Sequence, residues 1–431
     1  MNTLGLIYAT LGKGGIERGA SFQIPMFRKA GWRVVVFTSF PASENDYRIS
    51  SDFVHVCIGA DDTADRSRRL SEALREQGVD LLVHHDAYRA DVLASDLSAA
   101  RAAGVKAIVF WHSVFSHFLL RRGRQLEAKA LFEACRLADA MITLTAADAA
   151  FFRLYGIPAE AIPYADPDLM KGFVRAAWPR RMVWMGRFVE LKRPLDAVKI
   201  AERVVARFPD AELAMLGDGE ELSAVRDYLA CRPALARAVR LEGFQANVRP
   251  FLEASGVGLV TSRFEGYCHA AVEMQMASLP IVAYEMPWLD ALNAASGVEQ
   301  VAQGDVAAAA EAVCRLFDDP ESCRSAGVRA RAAYDGVVAP RDQVAAHAEF
   351  FGRVRRGDLD DLRRIEPEAA RVAIDTLVLH ADQALRLAAE DVRAEERAAF
   401  ARALAANRSY RLGRALAWPW RKCRDIFRPR G

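Results

Sequence analysis

Short apolar runs and longer amphipathic stretches alternate along most of this chain. The runs fall at residues 4–8, 33–38, 55–58, 81–84, 107–111 and 141–145. Stretches rich in Ala, Arg and Leu, with helical character, separate most of them. Strands that are apolar throughout are buried on both faces, so the pattern predicts parallel sheet covered by helices on each side. The pattern then restarts, with runs at 181–186, 211–217, 239–243, 256–262 and 280–285. Turn signals mark the boundary, in Ala161-Ile162-Pro163-Tyr164-Ala165-Asp166-Pro167 and in Trp178-Pro179-Arg180-Arg181. The expected architecture is α/β, with two doubly wound, Rossmann-like domains facing each other across a cleft. They span residues 1–175 and 181–335, and a helix over 336–357 crosses back to the N-terminal domain. Ligands are expected at the carboxyl ends of the strands. Strand signals largely vanish beyond Gly357, and residues 358–431 read as a helical extension with interleaved acids and bases.

Composition narrows the class. With 431 residues the chain is long for one domain, and 52% hydrophobic with 26% charged residues suits a globular protein with sizeable cores. The formal net charge of +2 gives no reason to expect a nucleic-acid partner. Cys57, Cys135, Cys231, Cys268, Cys314, Cys323 and Cys423 show neither close pairs nor metal spacing, so reduced thiols in the cytoplasm are expected. No apolar run reaches the roughly 18 residues of a membrane span. The segment Met1-Asn2-Thr3-Leu4-Gly5-Leu6-Ile7-Tyr8 reads as a first strand and not as a signal peptide.

The candidate chemistry starts with two carboxylates, Glu265 and Glu273, eight positions apart. Glu265 follows an apolar run on a loop, and Glu273 falls on the second turn of a helix beginning near Cys268. A helix N-terminus between them favours an anion, with an acid on either side to hold hydroxyl groups. This combination suits a sugar nucleotide. The first predicted strand leads into Gly14-Gly15, where backbone can approach a ligand closely, although a plain strand-to-helix turn also fits. Arg187 and Lys192 follow another strand end and offer counter-charge for a diphosphate; a solvated basic loop is the alternative. Gly217-Asp218-Gly219 is a third such turn, able to line a nucleotide or simply to reverse the chain.

Gly14-Gly15-Ile16-Glu17, Gly186-Arg187 with Lys192, Gly217-Asp218-Gly219, and Glu265 with seven residues before Glu273 occur in one order. Together they resemble glycosyltransferase family 4, the retaining enzymes of the GT-B fold, over roughly residues 1–350. The chain departs from that family at Cys268-His269 and at Leu279, so the resemblance implies the reaction class but not the donor sugar. It implies that Arg187 and Lys192 bind the donor diphosphate and stabilise the leaving group. It implies that Glu273 holds ribose hydroxyls and that Glu265 contacts the donor sugar near the reacting carbon. Backbone N–H groups of Tyr267, Cys268 and His269 would bind sugar and phosphate oxygens, and Gly15 would approach the diphosphate from the facing domain. Gly217 and Asp218 belong to the same donor site. No cofactor or metal is implied, and Asp166-Pro167-Asp168 and Asp358-Leu359-Asp360 are not read as metal motifs.

His112, just after a strand, resembles the family histidine that faces the donor sugar, although capping or packing would also place a histidine there. His84, His85 and Asp86 are expected to line the acceptor cleft, with Glu17 beside them. His117 and Arg121-Arg122 are expected at the surface. The segment 409–431 carries seven Arg or Lys, one acid (Asp425) and interleaved Trp418, Trp420 and Phe427. It resembles tails of bacterial polysaccharide-assembly glycosyltransferases, and suits either a membrane-surface anchor or a basic helix packed on the protein. The expected activity is transfer of a sugar from a nucleoside diphosphate to a glycan or lipid-linked glycan in bacterial surface polysaccharide synthesis, in the cytoplasm or peripherally on the inner membrane. A GT-B sugar-phosphate synthase, a nucleotide-sugar epimerase or hydrolase, and a non-catalytic glycan-binding scaffold are the alternatives.

Overall fold

A computed structural model describes residues 1–406, apart from 13, 44, 45, 48, 50, 60–62, 121, 122, 287, 288, 290, 291, 293 and 338–341. The chain forms two compact units, Met1–His380 and Ala381–Gly431. The second unit is helical as far as it is described. Residues 409–431, read above as an anchor or a packed helix, and Arg121-Arg122 lie outside the described residues. Among the described residues no helix is long and apolar enough to cross a membrane.

The first unit contains two sheets. The first half of the chain supplies β1 (Thr3–Tyr8), β2 (Arg33–Thr38), β3 (Val54–Cys57), β4 (Leu81–His84), β5 (Lys106–Trp111), β6 (Ala140–Thr143) and β7 (Ala159–Ala161). Its helices are α1 (Gly15–Lys29), α2 (Thr63–Glu76), α3 (Ala90–Ala102), α4 (Phe115–Leu120), α5 (Gln125–Cys135) and α6 (Ala146–Leu154). The sheet order is β3-β2-β1-β4-β5-β6-β7 and every pairing is parallel. The second sheet holds β8 (Arg181–Met185), β9 (Glu212–Leu216), β10 (Val239–Gly243), β11 (Val257–Val260), β12 (Ile281–Tyr284) and β13 (Val298–Val301). Its order is β10-β9-β8-β11-β12-β13, again all parallel. Its helices are α7 (Pro194–Arg207), α8 (Leu222–Ala230), α9 (Pro233–Ala238), α10 (Arg249–Glu253), α11 (His269–Met276), α12 (Val306–Asp318) and α13 (Pro320–Val337), and α14 (Gln343–Arg356) and α15 (Pro367–Ala406) follow.

The predicted strands are all the central ones and the edge strands β3 and β10. Every residue of β1, β4, β6, β11 and β12 is buried, which is what continuous apolar runs between two helical layers require. Sequence periodicity missed two edge strands. β7 reads Ala-Glu-Ala and runs into the turn signal that begins at Ala161, and β13 reads Val-Glu-Gln-Val. Each is too short and too polar to stand out, because an edge needs only one covered side.

One hydrophobic cluster joins the halves, running from Leu6, Ile24 and Phe27 to Val260, Ala271 and Met274. Chain passes from the second half back to the first after α13. Arg331 on α13 donates to the Met276 carbonyl at 3.0 Å, whereas Phe351 on α14 packs 5.6 Å from Phe27 and 5.9 Å from Trp32. Loops of the two sheets meet closely at Gly266. A β-carbon there would lie 2.9 Å from the Ser113 α-carbon and 3.0 Å from the His112 carbonyl oxygen. Only backbone faces it, so nothing flexible can yield.

Gly266→Ala is therefore expected to lower stability in urea unfolding by about 1–3 kcal/mol, as overpacking does. Gly336→Ala, on α13 with open space around it, is the control and should be neutral or mildly stabilising.

Candidate functional site

In each sheet the strand order reverses beside the first strand, between β1 and β4 and between β8 and β11. Chains leaving those strands diverge to opposite faces and open a crevice at their carboxyl ends. The two crevices face each other in the first unit and form a cleft of about 690 Å³. Its walls are the loop after β1 and the start of α1, the loops after β5, β8, β9 and β10, and the segment from Phe264 into α11.

The helices α1 and α11 meet end to end across this cleft. A β-carbon on Gly15 would be 3.9 Å from the His269 ring. Neither N-cap residue, Gly14 or Cys268, caps its helix with a side chain, so both N-termini are open to an anion. Cys268 holds φ 63° and ψ 64°, a left-handed conformation that costs a non-glycine residue roughly 1 kcal/mol. This bend directs the chain from Glu265 into α11.

Charges are arranged around those helix ends. Lys192 Nζ pairs with Glu265 Oε1, which also accepts the Ser262 hydroxyl at 2.6 Å. On the other flank two nitrogens of Arg18 lie 3.1 Å from Glu273 Oε1, and a third donates to the Ala246 carbonyl at 2.9 Å. This pair crosses from α1 to α11. Burial raises the Glu273 carboxyl pKa, and Arg18 works against that rise. Arg187 is exposed on the cleft wall and has no ion pair or side-chain hydrogen bond among the described residues. Glu17 folds back over Gly14, its Oε2 standing 2.1 Å from where a β-carbon would be. Burial raises its carboxyl pKa, Arg187 lowers it, and Asp86 adds a smaller rise.

The second-domain loops interlock. Gly217 sits at φ +136°, and a β-carbon there would come within 1.8 Å of the Gly186 carbonyl oxygen. Phe188 donates to the Asp218 carbonyl at 2.8 Å. The Asp218 carboxylate accepts the Gly219 N–H at 2.8 Å, and Asp218 is exposed to the cleft. Tyr267 donates its hydroxyl to the Tyr164 carbonyl at 3.0 Å and ties the loop to the first half.

Four sequence expectations need correction. His84 does not line the cleft: it is fully buried on β4, with Nε2 3.0 Å from Asp96, whose carboxylate also takes a forked contact from buried Arg66. His85 does not line it either. Strand alternation turns it the other way, where it stacks on Tyr8 at 4.4 Å and Phe110 at 5.0 Å and reaches His112. Asp86 is half-buried near Glu17 but outside the cleft wall. His117, expected at the surface, stands in the cleft with its ring 4.0 Å from that of Phe264. The structure gathers Gly15, Glu17, His112, Arg187, Lys192, Gly217, Asp218, Glu265, Tyr267, Cys268, His269 and Glu273 on one wall-to-wall site. Arg18 was missed, although it directly follows Glu17 one turn into α1. Tyr47 and Phe244, whose rings meet across the cleft at 5.3 Å, were missed as well. Among the described residues no group of three or more His, Cys, Asp or Glu is placed to hold a metal ion.

Histidines around the cleft are kept neutral. Burial holds His112 down to about 3, with His269 adding to the effect, and holds His269 down to about 3, with Arg18 and Lys192 adding. Burial lowers His347 and His380 to about 4. Groups depressed below their unfolded values stabilise above about pH 6.5 and lose that contribution as pH falls. Asp148 opposes them. Burial raises it to about 7, so its contribution is present at low pH and lost as pH rises through 7. With His85, which burial also lowers, five histidines oppose one aspartate. Unfolding free energy is expected to fall between pH 7 and pH 5 by up to roughly 1.4 kcal/mol per pH unit for each net group, the thermal midpoint falling with it, and Asp148→Asn should steepen the fall.

Residues 13–164 match the family model Glycosyltransferase Family 4, and residues 179–319 match Glycosyl transferases group 1. Over 99 residues the chain is 35% identical to the lipopolysaccharide core biosynthesis glycosyltransferase LpsE of Rhizobium meliloti, covering 23% of this chain and 28% of that protein. It is 30% identical over 99 residues to an uncharacterized glycosyltransferase of Methanocaldococcus jannaschii, covering 23% and 24%. The match thus spans about a quarter of each curated relative's length. Among solved structures, S. aureus TarM in complex with UDP and other ligands superposes with a TM-score of 0.66 at 12% identity, over 81% of this chain and 100% of that one. Anabaena HepE in complex with UDP and glucose gives 0.65 at 13% identity, over 82% and 100%. These two likenesses show a shared fold.

Proposed function

The chain belongs to the glycosyltransferases of family 4 and group 1, with the GT-B fold, and from that premise we propose that it transfers a sugar from a nucleoside diphosphate to a glycan or lipid-linked glycan with retention of configuration. The observation that carries this reading is the pairing around α11: Lys192 with Glu265 and Arg18 with Glu273 flank an uncapped helix N-terminus, and Arg187 stands unpaired among the described residues. A nucleoside diphosphate sugar meets every part of that pattern. Its hydroxyls donate to the two glutamates, and its phosphates accept from the cations the glutamates release. In this reading Glu273 holds the ribose and Glu265 the sugar. Arg187, Lys192 and the backbone of Gly15, Tyr267, Cys268 and His269 take the diphosphate, Gly217 and Asp218 line the nucleotide, and His112 meets the sugar.

The reaction breaks the bond from the anomeric carbon to the leaving phosphate oxygen and forms one to the acceptor hydroxyl oxygen on the same face. The acceptor proton passes to the leaving diphosphate. Arg187 and Lys192 stabilise negative charge as it builds on that diphosphate, which is where fixed cations speed a reaction most. Solved neighbours were captured with UDP and with UDP-glucose, and the curated relative LpsE acts in lipopolysaccharide core biosynthesis, which supports a nucleotide sugar as donor and polysaccharide synthesis as the setting. We extend the reading to the basic, Trp-bearing segment 409–431 as a contact with anionic lipid on the cytoplasmic face of a membrane.

The test is release of nucleoside diphosphate from a panel that includes UDP-glucose and UDP-N-acetylglucosamine, with and without crude lipid-linked acceptor. Wild type should release it in an acceptor-stimulated way, and Lys192→Ala should lose roughly 10²–10³-fold in kcat. Glu273→Gln should raise the donor KM more than it lowers kcat. Equal release from Lys192→Ala would overturn the catalytic assignment. Acceptor-independent turnover would point to hydrolysis or epimerisation, and glycan binding without release to a scaffold.

Flotation with anionic liposomes tests the tail. A chain truncated before Ser409 should stay in the unbound fraction, and unchanged flotation would sink the lipid contact.

A further inference from the structure

His85 lies behind the cleft wall, 1% exposed, on the loop where β4 ends. Its backbone N–H donates to the Ile7 carbonyl at 2.9 Å, and its ring is sandwiched between Tyr8 at 14° and Phe110 at 21°. The ring therefore has little freedom to turn. Its Nδ1 lies 2.9 Å from Nε2 of His112, which stands on the cleft wall and is itself stacked on Phe110 at 4.5 Å. Both imidazoles are neutral, so a single proton sits between those two nitrogens.

Which ring owns that proton is decided by the far nitrogen of His85. Nε2 of His85 is buried and has no hydrogen-bond partner among the described residues. If His112 donated, His85 would carry its own proton on Nε2, as a buried donor with no acceptor. Orphaned buried N–H groups are rarer in proteins than under-satisfied acceptors. If His85 donates from Nδ1, only a lone pair is left over. His112 then accepts at Nε2 and must carry its proton on Nδ1. That nitrogen makes just one long contact, 3.5 Å to the Tyr164 hydroxyl, so its N–H is left for a ligand hydroxyl to accept.

We propose that His85 is a positioning residue that locks His112 in the Nδ1–H tautomer and so presents the cleft ligand with a hydrogen-bond donor. The ligand side of this inference rests on the transferase reading above. The tautomer side stands without it. His85 touches no reacting atom, and its effect passes entirely through the His112 ring. Tyr164 is held by the Gly19 side of α1, where a β-carbon would be 2.4 Å from its hydroxyl, so the second partner of Nδ1 is fixed too.

The experiment uses the full chain labelled with ¹⁵N-histidine, with the His112 signals identified from their loss in His112→Ala. Wild type should show His112 protonated on Nδ1. Asparagine can put an amide N–H where His85 has Nδ1, whereas glutamine reaches the Nε2 position and leaves the Nδ1 position empty. His85→Asn should therefore keep the Nδ1–H signature, and His85→Gln and His85→Phe should shift His112 toward Nε2–H. In diphosphate release from UDP-glucose and UDP-N-acetylglucosamine, His85→Phe should lower kcat about tenfold with donor KM changed less than twofold, and His85→Asn should recover most of the loss. Thermal unfolding reports whether each variant folds, and the Asn–Gln pair decides the matter if Phe does not. A wild-type His112 protonated on Nε2, or a tautomer indifferent to all three variants, would overturn the proposal. Absence of turnover in wild type, with the tautomer pattern intact, would instead count against the transferase reading alone.

Discussion

The cleft is built around an ion pair that joins its two walls. Arg18 belongs to the first sheet's α1 and Glu273 to the second sheet's α11. Glu273 is largely buried, and burial alone would favour its protonated form. Arg18 offsets that penalty, and the same contact closes the crevice. A carboxylate shielded in this way is costly to leave unpaired, so any occupant of the cleft has to supply replacement hydrogen bonds before Arg18 can let go. Under the proposed transferase reading, ribose hydroxyls would do so for Glu273 and a phosphate for Arg18. The second pair, Lys192 with Glu265, poses the same demand on the opposite flank. Under the proposed reading, selectivity for a molecule carrying both hydroxyls and phosphates follows from these two ion pairs.

Backbone geometry sets the distances that make this exchange possible. Gly217 at φ +136° presses the β9 loop onto Gly186, which fixes the loop carrying Arg187 and Lys192. Gly266 presses the Glu265 loop onto the backbone of His112 and Ser113. Cys268 then turns left-handed to start α11 against α1. The contacts at Gly217 and Gly266 are backbone against backbone, so their spacing does not depend on rotamers that a ligand could move. The side chains adapt, and the frame holding them does not.

Residues that carry charge on glycine-flanked loops after apolar runs were legible in the sequence. Apolar runs predicted the buried central strands, and from their carboxyl ends Arg187, Lys192, Glu265 and Glu273 could be placed on one crevice. The edge strands β7 and β13 were not legible, because three or four half-covered residues leave no periodic trace. Neither was the division of labour among the histidines. His84 and His85 are adjacent and chemically identical, and strand alternation sends one to Asp96 and Arg66 and the other to His112. Arg18 was hidden for a different reason. Its partner is 255 positions away, and no local pattern reports a contact across two domains.

The neutral histidines explain why fixed charges do the electrostatic work here. His112 and His269 line the cleft between the cations, yet burial holds both down to about 3. Arg18 and Lys192 press His269 further toward neutrality, since a third positive group beside them would be repelled. Positive charge is thereby left to the arginines and the lysine, and the imidazoles are left to hydrogen bonding. A neutral imidazole is useful only if its proton is on the right nitrogen. A buried neighbour such as His85, with one satisfied nitrogen and one empty one, supplies that constraint where no carboxylate is at hand.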